Sequence, residues 1–185
     1  MKHLLYCGAR YAEKLRGLHS LYAFDAGWEV HYFEPNPFID AQRALGVARP
    51  FGAASDFHRV AVWTSDGAVT LRLQCCDCKN GEGNAVGDLG SSNRRLVGGA
   101  EVTVPSIDLS RLVAGLDSEQ VVVRMDIEGA EFPIVRKMVA EGTIAKVKDL
   151  HIEWHQRHLP LENGRTVAEL QAAMEQLGVA VHVLS

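Results

Sequence analysis

The sequence predicts an α/β fold, a mainly parallel central sheet with helices on both faces. Three observations carry that prediction. Val121-Val-Val-Arg-Met125 is a nearly continuous apolar, β-branched run, the pattern of a strand buried on both faces. Strand-like and helix-like segments alternate from the first residues onward. Acids stand just after two of the strands, where an open parallel sheet binds its ligands.

The elements follow in order. His3-Leu-Leu-Tyr-Cys7 reads as a short buried strand ending at Gly8, and Arg10 through Phe24 carries apolar residues at roughly helical spacing. Glu29-Val-His-Tyr-Phe-Glu34 is a second strand with an acid at its tip, and Pro35-Asn-Pro37 stops it and starts a helix to about Ala48. Two strand-like segments, Asp56 to Trp63 and Ala68 to Leu73, flank Ser65-Asp-Gly67, whose Asp-Gly pair suits a hairpin turn. Residues 75–100 are glycine-rich and polar, a loop or substrate lid by length. Glu101 to Val104 gives another strand, with Ser106 or Asp108 able to cap a short helix over Leu109 to Ala114.

After the Val121 strand, Gly129 permits a tight turn and Phe132 to Glu141 is a helix with Pro133 in its first turn, ending at Gly142. Asp149-Leu-His-Ile-Glu-Trp-His155 alternates as a strand that puts Glu153 and His155 on one face. Thr166 to Leu177 is an amphipathic helix and Val179 to Leu184 a final strand.

Size and composition bound the function. The 185 residues make one domain, 1–185, with 47% hydrophobic and 23% charged residues. A net charge of -4 argues against general nucleic-acid binding, with Arg94-Arg95 the one basic pair near the expected site. No apolar run approaches a membrane span and no signal pattern opens the chain, so a cytoplasmic protein is expected. Cys75 and Cys78 have C-x-x-C spacing without a second pair, so reduced thiols are expected and no metal site.

Asp126, Glu128 and Glu131 fall within six positions. Glutamates at a helix start also oppose the macrodipole in proteins without activity, whereas Asp126, closing an apolar strand, points to function. Glu34 is placed to accept hydrogen bonds from the ribose hydroxyls of an adenosine-containing ligand. The turn Gly8-Ala-Arg-Tyr-Ala12 lacks G-x-G-x-x-G, which disfavours a pyrophosphate and with it a nicotinamide oxidoreductase. A ligand with adenosine but no pyrophosphate fits better, S-adenosylmethionine being the commonest.

Six pieces in order, Phe33-Glu-Pro-Asn-Pro37, Ala61-Val-Trp63 with Asp66-Gly67, Gly90-Ser-Ser92, Val104-Pro-Ser-Ile-Asp108, Met125-Asp-Ile-Glu-Gly-Ala-Glu131 and Glu153-Trp-His155, resemble the FkbM-type S-adenosylmethionine-dependent methyltransferases. The resemblance runs from about Leu4 to His155. It implies a Rossmann-like class I methyltransferase fold, a mainly parallel sheet with an antiparallel last strand, and methyl transfer to a hydroxyl of a small molecule or sugar. It also implies a cofactor site of Cys7, Gly8 and Ala9 at the methionine part, Glu34, Pro35 and Asn36 at the ribose, His58 to Val60 near the adenine, and Asp126 beside the sulfonium. Asp126 is then the first residue to orient or accept the acceptor's proton, with His155, Glu128 and Glu153 as alternates. Ser91, Ser92 and Arg94 are expected near the substrate. The first loop keeps only Gly8 of the several glycines common in such families, the feature that favours the alternative of a non-catalytic cofactor-binding or interaction module.

Overall fold

The alternation of β-branched and amphipathic segments produces a doubly covered parallel sheet. In chain order the computed structural model contains β1 (Lys2–Cys7), α1 (Leu15–Tyr22), β2 (Trp28–Phe33), α2 (Ala41–Ala48), β3 (Ala54–His58), β4 (Ala61–Trp63), β5 (Gly67–Arg72) and β6 (Ala85–Val86). It continues with β7 (Glu101–Asp108), α3 (Leu109–Gly115), β8 (Gln120–Met125), α4 (Glu131–Ala140), β9 (Val147–Ile152), α5 (Gly164–Gln176) and β10 (Ala180–Val183). The structure describes residues 1–73, 85–86, 100–156, 159 and 162–184. Ser91, Ser92 and Arg94, the cysteines Cys75, Cys76 and Cys78, and most of the expected lid over 75–100 lie outside them.

The main sheet has the order β10-β9-β8-β1-β2-β3, and every pairing in it is parallel. Strand alternation sends Leu4, Tyr6, Trp28, Val30, Tyr32 and Val122 to one face, against Leu15 and Leu18 of α1 and Ala44 and Ala48 of α2. The other face presents Leu5, Cys7, Phe33, Val121, Val123 and Met125 to Leu109 and Val113 of α3 and to Phe132, Val135 and Met138 of α4. Burying apolar side chains on both faces at about 25 cal/mol per Å² is the main favourable term holding the three layers together. Among the described residues no helix is long and apolar enough to cross a membrane.

Two expectations are corrected. β10 runs parallel to β9, not antiparallel, because α5 crosses back over the sheet between them and returns the chain to the starting edge. Ser65-Asp-Gly67 does not close a hairpin between β4 and β5. A second sheet, ordered β4-β7-β5-β6, inserts β7 between them, pairing parallel with β4 and antiparallel with β5. The Asp66 carboxylate is committed elsewhere: Oδ1 accepts from the Asp108 N–H at 3.1 Å and Oδ2 pairs with Arg111, tying the turn to the start of α3. Of the two expected caps, Asp108 takes the role, accepting from the Arg111 N–H at 3.2 Å, while Ser106 lies within β7.

Candidate active site

The site begins at three strand ends. Cys7 is in register with Phe33 on one side and Met125 on the other, so the next residues, Gly8, Glu34 and Asp126, emerge at one rim of the sheet. Gly8 has φ +75°, and a β-carbon there would overlap the Asp126 carbonyl oxygen, so only glycine fits between the strands. The Gly8 and Ala9 N–H groups both donate to the Phe33 carbonyl, at 2.9 and 3.1 Å, and the Asp126 N–H donates to the Cys7 carbonyl at 3.2 Å. Cys7 and Ala9 therefore reach the rim only through their main chain, their side chains being buried. Burial also pushes the Cys7 thiol pKa up, which keeps it protonated and inert.

Glu34 is buried, and its two oxygens accept from the backbone N–H groups of Asn36 at 2.8 Å and Arg10 at 3.0 Å. Burial raises its pKa, opposed by those two hydrogen bonds and by the Arg59 and Arg10 charges. Asn36 is fully buried; its Oδ1 accepts from the Phe38 N–H at 2.9 Å, while its Nδ2 has no hydrogen-bond partner among the described residues. Arg59 donates to the Asn36 and Ile39 carbonyls at 2.7 and 2.9 Å and so fixes the loop that contains half-buried Pro35. The His58 carbonyl accepts from the Glu34 N–H at 3.1 Å, which brings its main chain to the rim. The His58 ring instead stacks on Phe33 over the sheet face, centroids 4.8 Å apart, and Val60 packs against the core.

The second half of the site surrounds His155. Its Nδ1 lies 2.9 Å from Oε1 of Glu131, and its Nε2 faces Glu153, Asp126 and Glu128 at 3.7, 3.8 and 3.8 Å. Burial by itself lowers the pKa of the imidazole, but the Glu131 hydrogen bond and the charges of Glu131, Glu128 and Asp126 outweigh it and raise the value to about 9. Glu128 is held above the usual carboxylate range, chiefly by burial. It also takes φ +55° beside Gly129 at +108°, so the turn after β8 is strained where the acids converge. Asp126 Oδ1 faces His155, and its Oδ2 takes the Arg124 guanidinium at 3.3 Å. The nearest donor atoms of Asp126, Glu153 and His155 lie within 4.8 Å of one another, a spread able to hold a cation where the sequence offered no metal set.

Two residues assume roles that composition did not reveal. Glu131, readable from sequence as a helix-start acid, is fully buried; it accepts from the Ile127 N–H at 2.8 Å and the Gly129 N–H at 2.7 Å as well as from His155. Arg124 is buried with its guanidinium 4.8 Å from the Tyr6 ring centroid. Its signal was a lone charge inside an apolar strand, which burial tolerates only with a partner.

A search of curated proteins found no match, and a search of solved structures found none. A model of the methyltransferase FkbM domain matches residues 7–179, a span that takes in the Gly8 loop, Glu34, Asp126 and His155. With an all-parallel main sheet and a family match over nearly its whole length, the chain belongs to the FkbM family of methyltransferases.

Proposed function

We propose that the protein methylates a hydroxyl oxygen of a small molecule or sugar with S-adenosylmethionine as donor. The observation that carries the reading is the shared rim, with Glu34 and Asp126 emerging on either side of Gly8 and His155 set among carboxylates beside Asp126. The residues present fit the cofactor. The buried Asn36 Nδ2 is a donor with no partner among the described residues beside Glu34, and the concentration of acids favours a cation.

Bound there, the cofactor supplies an electrophilic methyl group on a positively charged sulfur. Each Glu34 oxygen accepts one backbone N–H and keeps acceptor capacity for a ribose hydroxyl. Asp126, held by Arg124 and facing His155, orients the acceptor. His155 takes the acceptor's proton at Nε2, because Nδ1 is anchored on Glu131. Holding the acceptor oxygen in line with the transferring carbon is the remaining contribution, made by position alone.

Calorimetry with S-adenosylmethionine, together with radiolabelled methyl transfer to a panel of hydroxylated acceptors, tests the reading. Glu34→Gln should weaken cofactor binding by roughly tenfold or more, the cost of a charge-assisted hydrogen bond, and Asp126→Asn should abolish transfer. Full transfer by both variants overturns the assignment. Saturable binding with no transfer to any acceptor identifies a binding module instead.

A further inference from the structure

Below that rim, between the amino end of β1 and the middle of β2, the main sheet brings together three side chains that the methyltransferase rim does not use. His3 stands opposite Glu29 in the register, and His31 follows two residues later on the same face. The ligating atoms form a nearly equilateral triangle: His3 Nδ1 to His31 Nε2 is 3.2 Å, His3 Nδ1 to Glu29 Oε2 is 3.5 Å, and His31 Nε2 to Glu29 Oε2 is 3.6 Å. A tetrahedral zinc with bonds of 2.0–2.2 Å separates its ligand atoms by roughly 3.3 to 3.6 Å. We propose that His3, Glu29 and His31 bind a divalent transition cation of the zinc class, with the fourth position open to water.

The chemistry of the donor set selects the metal. Two imidazoles and one carboxylate suit zinc and its neighbours, whereas calcium and magnesium want oxygen alone. His31 is also supported from behind. Its Nδ1 lies 3.3 Å from Nε2 of His58 on β3, so an Nδ1–H donated there leaves Nε2 free to ligate and fixes the ring's orientation. The His3 and His31 rings are stacked 5.5 Å apart, and the broad χ2 torsion of histidine lets their lone pairs turn toward a common point. The His3 and His31 side chains are 9% and 18% exposed and Glu29 is 38% exposed, so the ion has an entry path on the glutamate side.

The ion would tie β1 to β2 below the Gly8 rim, and the proposal is independent of methyl transfer. The test is zinc titration by calorimetry of the full chain, stripped with chelator and dialysed, with thermal melts in parallel. One equivalent should bind and raise the midpoint of the melt. Glu29→Gln and His31→Gln should each weaken binding at least tenfold. Glu153→Gln, in the acid cluster around His155, should leave the zinc affinity unchanged. Glu29 is half-exposed, so its variant tests the site even if substitution of His31 harms folding. Absence of binding by the wild-type chain overturns the proposal, and so does affinity that survives Glu29→Gln or falls only in Glu153→Gln.

Discussion

Gly8 and Asp126, far apart in sequence, meet main chain to main chain: the Asp126 carbonyl occupies the space a side chain on residue 8 would need. That contact sets the spacing of the rim, since Gly8 opens the loop whose Arg10 N–H binds Glu34, and Asp126 opens the turn leading to Glu131.

Gly8→Ala should therefore destabilise the fold by roughly 2–5 kcal/mol, combining the left-handed φ with overlap against backbone. Gly46→Ala is the control. It lies within α2, where an added β-carbon meets nothing within 4 Å, and it should stabilise by about 0.5–1 kcal/mol. Urea melts of both variants measure the difference, and equal midpoints would show the contact to be soft.

Stability should fall as pH rises. His155 in the folded protein is raised to about 9 from 6.5, so its contribution is fully present below about pH 6.5 and is lost as pH climbs through 9. The shift corresponds to on the order of 3 kcal/mol. His155→Gln should flatten the stability profile over that window, as read by denaturant melts at successive pH values.

The same protonation should shape the reaction. On the proposal that His155 accepts the proton, the neutral imidazole is the active form, so kcat/KM should increase with pH up to about 9. A rate independent of pH between 6.5 and 9 would move that role to Asp126, Glu128 or Glu153.

Glu131→Gln should cost roughly 3 kcal/mol, because the amide can no longer accept from all the donors that a buried carboxylate receives. It should also lower the His155 pKa by removing the nearest of its acids, a change followed by NMR titration of the imidazole.

Asn163 accepts from the Arg165 and Thr166 N–H groups and caps α5, the helix that makes β10 parallel. Asn163→Ala should destabilise by about 1 kcal/mol, measured by thermal melt, without affecting the rim around Gly8 and Glu34.

Much of this protein was legible in one dimension. The apolar run at 121–125 marked a doubly buried strand, the Gly8 turn and the acid at Glu34 marked the carboxyl ends of the first two strands, and Ser106 or Asp108 marked a helix start nearby, because periodicity and local turn chemistry are properties of neighbours in the chain. Pairing is different. Nothing local to Asp66-Gly67 announces that β7 will come between β4 and β5, and nothing local to Ala180 sets its direction; both depend on where a later segment or a crossover helix packs. The site divides the same way. Asp126 was visible as an acid closing a strand. The sequence read Glu131 as a helix-start acid, but only folding buries it and aims it at His155, gives Arg124 to Asp126, and lays His3 beside Glu29 and His31, since burial and charge proximity arise only when distant strands share an edge.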